Sequence, residues 1–336
     1  MADDRPAPPG AALHEKTATQ GQTAAPPPTP AYLWHNGRLV PWQDATVHIT
    51  QIGWTAISAV FEGIRGYWSN ERQDLYLFRL DEHLKRLARS MKLMRMAPAV
   101  SAADLTSAML DLLRANEFRE DVYVQPLVYF AGGVPGYRAA YTQPTEVLIT
   151  ARPAPSALKT GRASHCCISS WVRLADHVMP PRAKALANYQ NSRLVSTEAR
   201  INGYDGGIML NERGKVAEGA YACIFLVRDG VAVTPPATAG ILESITRASL
   251  LEALPQVLGV PVEVREVDRT ELYLADEVFL CGTLAEIDPV VSVDRYSVGT
   301  GEPGTVTRRL EDLYHGLVRG TDPRYPAWRI PVYHDA

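Results

Sequence analysis

Residues 206–236 read GGIMLNERGKVAEGAYACIFLVRDGVAVTPP, and two β-hairpins are written into them, one over Gly207–Gly219 and one over Phe225–Pro236. The second turns at Asp229-Gly230, a pair that tolerates the positive φ of a tight hairpin turn. Strands joined by hairpins do not make regular βαβ alternation, so a doubly wound nucleotide-binding fold is not expected. Upstream, CCISSWV (166–172) reads as a strand and QNSRLVSTEARINGY (190–204) as a helix. Downstream, TRASLLEALPQVLG (246–259) and TVTRRLEDLYHGLV (305–318) read as helices on either side of DEVFLCG (276–282), a buried strand.

The earlier part of the chain forms a further α+β unit. YLWHNGRLV (32–40) carries Asn36-Gly37 between apolar stretches, a hairpin signal. LYLF (75–78), VYVQPLVYF (122–130) and EVLITARP (146–153) read as strands. Between them Leu80, Leu84, Leu87, Met91 and Met94 recur at steps of three and four, which gives one helix an apolar face. Leu105, Met109, Leu112 and Leu113 do the same for a second helix. The expected organisation is an Ala/Pro-rich disordered extension over 1–30, a small domain over 31–153, a linker over 154–165 and a larger domain over 166–336.

The whole chain has 336 residues, 46% of them hydrophobic and 21% charged, which suits two domains or one large one with ample apolar mass for a core. Lys and Arg number 34 against 37 Asp and Glu, so no basic field invites nucleic acid or an anionic membrane. No apolar run approaches the roughly 18 residues of a membrane span. The opening MADDRPAPPG is acidic and proline-rich, unlike a secretory signal. Cys166, Cys167, Cys223 and Cys281 show no C-x-x-C spacing, so neither a metal site nor a disulfide framework is expected, and a reducing cytoplasm fits.

Six features carry chemistry. Gly299, Gly301 and Gly304 in GTGEPG match G-x-G-x-x-G, but Pro303 interrupts the loop and no βαβ unit surrounds it, so it reads as a turn before a helix. Lys184 lies among Ala and Leu in PPRAKALANYQNS; desolvated, such an amine attacks carbonyls, and solvated it is an ordinary loop lysine. Glu218 ends a hairpin strand beside an apolar run, where a carboxylate either holds a heterocyclic nitrogen protonated or remains an exposed hairpin charge. Ser244, Ile245 and Thr246 open a helix, a natural anion site and equally a plain N-cap. Arg79 opens another helix, where its charge opposes the dipole unless it grips an anion or joins an ion pair. Gly282 and Thr283 end a buried strand with N–H groups and a hydroxyl to offer. An amine, an acid for a pyridine nitrogen and several phosphate ligands are the parts that pyridoxal 5′-phosphate (PLP) requires.

With these residues in place the chain resembles the class IV (fold-type IV) PLP aminotransferases, most closely the branched-chain amino acid enzymes. The resemblance rests on YLWHNGRLVPWQDATVHI (32–49), VFEGIRGYW (60–68), FRLDEHLKRL (78–87), AKALANYQNS (183–192), the Ala217-Glu218-Gly219 triplet, DGVAVTPP (229–236), SITR (244–247), DEVFLCGTLAEIDPV (276–290) and GTVTRRL (304–310). It implies a smaller N-terminal and a larger C-terminal α/β domain, the latter with pseudo-barrel strands. It further implies Lys184 as the covalent anchor and proton carrier, Glu218 on the pyridine nitrogen and Tyr189 on the phenolic oxygen. Arg79, Ile245, Thr246 and Thr283 would hold the phosphate. Phe61, Gly63, Tyr123 and Gln125 would line the substrate pocket, with Thr283 and Leu284 receiving the α-carboxylate. Members are homodimers or larger assemblies.

Five departures set the chain apart, one of them the linker, where ARPAPSALKTG (151–161) replaces an aromatic-rich stretch. Gln125 stands where many members carry an arginine for the side-chain carboxylate of glutamate or 2-oxoglutarate, and a neutral amide gives up a charge-assisted bond. Ala56 replaces a pocket tyrosine, Ala222 and Cys223 replace a Glu-Asn pair, and Glu243 places an acid beside the phosphate site. The expected activity is transfer of an amino group between an L-amino acid of the leucine, isoleucine or valine type and a 2-oxo acid such as 2-oxoglutarate. A D-amino acid or (R)-amine transaminase, an aminodeoxychorismate lyase-like enzyme and a retired, metabolite-binding member are the alternatives.

Overall fold

The computed structural model describes residues 29–49, 57–130 and 144–334. The expected disordered extension (up to residue 28) and Ala56 lie outside the described residues.

The first sheet is antiparallel throughout. Strands β1 (Tyr32–His35) and β2 (Arg38–Pro41) form the Asn36-Gly37 hairpin, both turn residues having positive φ, 45° and 96°. β3 (Val60–Phe61), β4 (Ile64–Ser69), β5 (Asp74–Phe78), β6 (Val122–Phe130) and β7 (Thr145–Pro153) follow. Helices α1 (Leu80–Leu93) and α2 (Ala102–Ala115) cover one face, and Leu80, Leu84, Leu87, Met91, Leu105, Met109, Leu112 and Leu113 pack there on Val122, Val124, Val128, Val147 and Ile149. Residues alternate across a pleated strand, so Tyr123, Gln125, Leu127 and Tyr129 take the opposite, outer face.

The second sheet is mixed. In chain order come β8 (Ser164–Ile168), α3 (Tyr189–Ile201), β9 (Gly206–Leu210), β10 (Val216–Gly219), β11 (Cys223–Arg228), β12 (Val231–Thr234) and α4 (Ile245–Val257). Then follow β13 (Val262–Val264), α5 (Glu271–Leu274), β14 (Glu277–Gly282), β15 (Glu286–Val293), β16 (Tyr296–Ser297) and α6 (Thr305–Arg319). The strand order is β10-β9-β8-β15-β14-β11-β12-β13, with β16 on β15. The β9–β10 and β11–β12 pairs are the two hairpins read from residues 206–236. The stretch read as a strand over 166–172 differs: β8 ends at Ile168, because the Ser169 hydroxyl bonds to Glu198 and accepts from the Trp171 N–H, turning the chain out of the ladder.

The GTGEPG turn does precede a helix. Glu277 caps α6, accepting from the N–H groups of Val306 (2.9 Å) and Thr307 (2.8 Å), so a carboxylate of the chain itself fills that helix start. After α6 the chain returns, and β17 (Arg329–Pro331) pairs antiparallel with β5, completing the order β17-β5-β4-β6-β7-β1-β2 with β3 on β6. A strand from the C-terminal part thus belongs to the first sheet, which a division at 154–165 does not convey.

Candidate active site

Where the two sheets meet, β3 holds the segment that carries Lys184. Phe61 N–H donates to the Lys184 carbonyl (3.0 Å) and Leu186 N–H to the Ala59 carbonyl (2.9 Å), while the Lys184 N–H is bound by Ser90 Oγ of α1 (3.0 Å). With that segment's backbone held by these three bonds, the Lys184 side chain enters a cleft between the sheets. Its Nζ donates to Tyr189 Oη at 2.5 Å and lies 4.7 Å from the centroid of Phe61. Phe61 meets Tyr189 edge-on, and Tyr189 in turn stacks on Tyr221.

Opposite the amine, Glu218 is buried at the end of β10. Its Oε1 is 2.9 Å from Arg173 Nε and its Oε2 accepts from the Leu242 N–H at 3.1 Å. Burial pushes its pKa up, against the pull of the Arg173 guanidinium and that N–H. Such a carboxylate is a fixed acceptor for a cationic N–H on a bound ring.

At the far end the cleft reaches Ser244, the N-cap of α4, whose Oγ accepts from the Arg247 N–H. Ile245 and Thr246 are the first two residues of that helix and do not themselves line the cleft; their N–H groups have no intrahelical acceptor, which leaves them for an anion. Phe61, Gly63, Tyr123, Tyr189, Thr283 and Leu284 also line the cleft. Gly63 is required by close approach, since a Cβ there would lie 2.0 Å from Tyr123 Oη. Gln125 shares the outer face of β6 with Tyr123 but is not at the cleft wall.

Arg79 is the correction. It lies away from the cleft, with left-handed backbone (φ 55°), its guanidinium 4.6 Å over the Trp328 ring and 3.1 Å from Glu82. The conflict with the helix dipole is relieved by this acid in the same first turn. The arginine that does reach the cleft is Arg86 of α1. Glu62 takes its Nε (2.8 Å) and Nη2 (2.7 Å), and the Glu243 carbonyl takes its Nη1 (2.8 Å) beside the start of α4. Glu62 also binds His83 Nδ1 at 2.7 Å. Burial would raise the Glu62 carboxyl, but Arg86 and His83 together bring it down to about 2. The Glu243 side chain pairs with Arg182 at 3.1 Å, so its charge is already answered.

A family model described as "Amino-transferase class IV" matches residues 59–293. The chain belongs to the class IV aminotransferases. A branched-chain amino acid aminotransferase from Thermobaculum terrenum, solved in its PLP form, superimposes with a TM-score of 0.88 at 50% identity, covering 91% of this chain and 99% of that one. The probable branched-chain-amino-acid aminotransferase of Aquifex aeolicus is 39% identical over 303 residues, 90% of this chain and 97% of its own length. A branched-chain aminotransferase from the archaeon Thermoproteus uzoniensis, solved with norvaline, gives a TM-score of 0.84 at 38% identity, covering 91% of this chain and 100% of that one. Two-sheet, mixed α/β architecture of fold-type IV and use of PLP come with this aminotransferase class.

The residues fit that cofactor. The cleft of this aminotransferase gathers one amine (Lys184), a buried carboxylate (Glu218), a phenol (Tyr189) and, at one end, a guanidinium beside an open helix start. Arg86, Glu62, His83 and Arg173 escaped the sequence reading. A signal for the first existed: His83, Arg86 and Ser90 fall in phase with Leu84, Leu87 and Met91, on the buried side of α1.

Proposed function

We propose that this aminotransferase moves an amino group between an L-amino acid with a branched apolar side chain and a 2-oxo acid such as 2-oxoglutarate. The observation that carries this reading is the single cleft in which Lys184 Nζ touches Tyr189 Oη while Glu218 and Arg86 take the other ends. PLP, when bound, supplies an electron sink for the pair left on the substrate Cα. Lys184 is the covalent anchor, and its Nζ takes the α-proton from the amino donor and delivers one to the matching carbon of the acceptor. Tyr189 keeps that amine oriented. Glu218, held by Arg173, keeps a ring nitrogen protonated.

Arg86, with the N–H groups of Ile245 and Thr246 and with Thr283, holds the phosphate in place of the Arg79 expected from sequence. The turn at Thr283-Leu284 receives the α-carboxylate. Phe61, Tyr123, Ala222 and Leu284 give the wall an apolar character suited to a leucine-like side chain. We place the enzyme in the cytoplasm as a homodimer or larger assembly; exposed Val47, Ile49 and Ile57 support self-association.

The test is a half-reaction screen that follows the visible band of the PLP-loaded protein. Bleaching by L-leucine, L-isoleucine and L-valine is expected. Bleaching by D-amino acids or (R)-amines alone would overturn the substrate class.

A further inference from the structure

Arg152 of β7 stands directly opposite Tyr123 of β6, and Thr150 stands opposite Gln125. Directly paired residues of an antiparallel ladder share a face, so Arg152 shares the outer face with Tyr123 and Gln125. Its guanidinium carbon lies 5.1 Å from the Tyr123 ring centroid, and that ring lines the cleft with its hydroxyl against Gly63. The side chain is exposed, and its hydrogen bonding among the described residues is a single long contact to the Pro153 carbonyl at 3.4 Å. No described carboxylate pairs with it within 4.0 Å.

Arg152 is not itself in the cleft wall, and the three cations that are in it are committed. Arg86 is held by both oxygens of Glu62, Arg173 lies on Glu218, and Lys184 faces Tyr189. We propose that Arg152 is the specificity-determining cation of the substrate pocket: it receives the side-chain carboxylate of a dicarboxylic substrate, a glutamate or 2-oxoglutarate, at the mouth of the cleft. This rests on the aminotransferase reading above.

The placement answers a physical difficulty. One pocket must take an apolar side chain in one half-reaction and a carboxylate in the other. An arginine buried in the wall would be left desolvated and unpaired whenever the apolar substrate binds, at a large cost. Arg152 avoids this because it stays hydrated while its guanidinium rests on the Tyr123 face, and it swings to a carboxylate when one arrives. Gln125, two residues from Tyr123 on the same face and outside the cleft wall, adds no second cation beside Arg152.

The test uses the full-length, PLP-loaded protein with two unreactive ligands, glutarate and 4-methylpentanoate, titrated by calorimetry. Arg152→Gln should weaken glutarate about tenfold, the lower end for a charge-assisted bond at an exposed site, and leave 4-methylpentanoate within about twofold. Arg152→Lys should recover part of the loss. kcat/KM for L-glutamate should fall by a similar factor while that for L-leucine holds. Unchanged glutarate binding in Arg152→Gln, or equal losses for both ligands, would overturn the proposal. Failure of the aminotransferase reading shows separately, as wild-type protein whose visible band no amino acid bleaches.

Discussion

Glu62 holds Arg86 on both of its carboxylate oxygens, at 2.8 and 2.7 Å, so the guanidinium presents its remaining edge to the Glu243 carbonyl and the start of α4. The pair is buried. Arg86→Gln should therefore weaken PLP retention by about one to two orders of magnitude, as expected for losing a charged bond to phosphate. Arg79→Gln should leave it unchanged. Titration of each apo variant with PLP, read in the visible band, checks both; a weakened Arg79 variant beside an intact Arg86 variant would restore the sequence expectation.

Lys184→Ala should remove turnover by at least about 10⁴-fold, the upper range for a positioned proton carrier. The variant should still bind PLP noncovalently through Arg86 and the helix start. Mass spectrometry after borohydride treatment, showing the cofactor mass attached in wild type and absent in the variant, is the accompanying readout.

Arg173 acts through Glu218, at 2.9 Å. Burial already pushes the Glu218 carboxyl up, and Arg173 is the first influence that restrains it. Arg173→Met should raise it further, moving the acidic limb of the kcat/KM profile to higher pH, while Arg173→Lys returns it most of the way. A profile that keeps its shape and loses only amplitude would mean that Arg173 is merely structural.

His83 and Glu62 set an acid dependence of stability in two stages. Burial lowers the His83 pKa below its ordinary 6.5, so below that pH the unfolded chain takes a proton that the folded one refuses, and stability falls. Glu62, at about 2 against an ordinary 4.5, contributes stability that is present above 4.5 and lost as pH falls toward 2. Thermal melts between pH 7 and 3 should show Tm declining across both windows. His83→Gln should flatten the upper one and keep the lower; identical curves for the two proteins would count against the assignment.

Burial raises all four thiols, Cys167 to about 11 and Cys223 to about 12. Thiolate is scarce at pH 8, so Ellman's reagent should titrate none of them within minutes in the folded protein and all four in guanidinium. A fast-reacting thiol in the folded state would contradict this.

Much of the architecture was legible. Asn36-Gly37 and Asp229-Gly230 fixed two hairpins through their tolerance of positive φ, and the steps of three and four from Leu80 to Met91 fixed α1 and its buried face. Lys184, Glu218 and Thr283 stand out from local motifs and Tyr189 from the family resemblance, and the structure brings the four to one cleft. Arg86 was not, since its burial depends on Glu62 in the turn before β4, a pairing that no local period records. Arg79 drew attention through a dipole conflict that Glu82 resolves three residues on. β17 was invisible for a related reason: three residues ending in proline have little strand preference, and the edge of β5 makes them a strand.

That returning strand gives Arg79 its work. Its N–H donates to the Trp328 carbonyl at 2.7 Å and its guanidinium covers the same indole, while the Val332 N–H binds the Leu75 carbonyl at 2.9 Å. On the ribosome, the first sheet emerges with β5 as a bare edge and stays so until the whole second sheet has been translated. The nascent chain must carry that unsealed border through more than half of its synthesis, and the arginine expected at the cofactor is the latch that closes it.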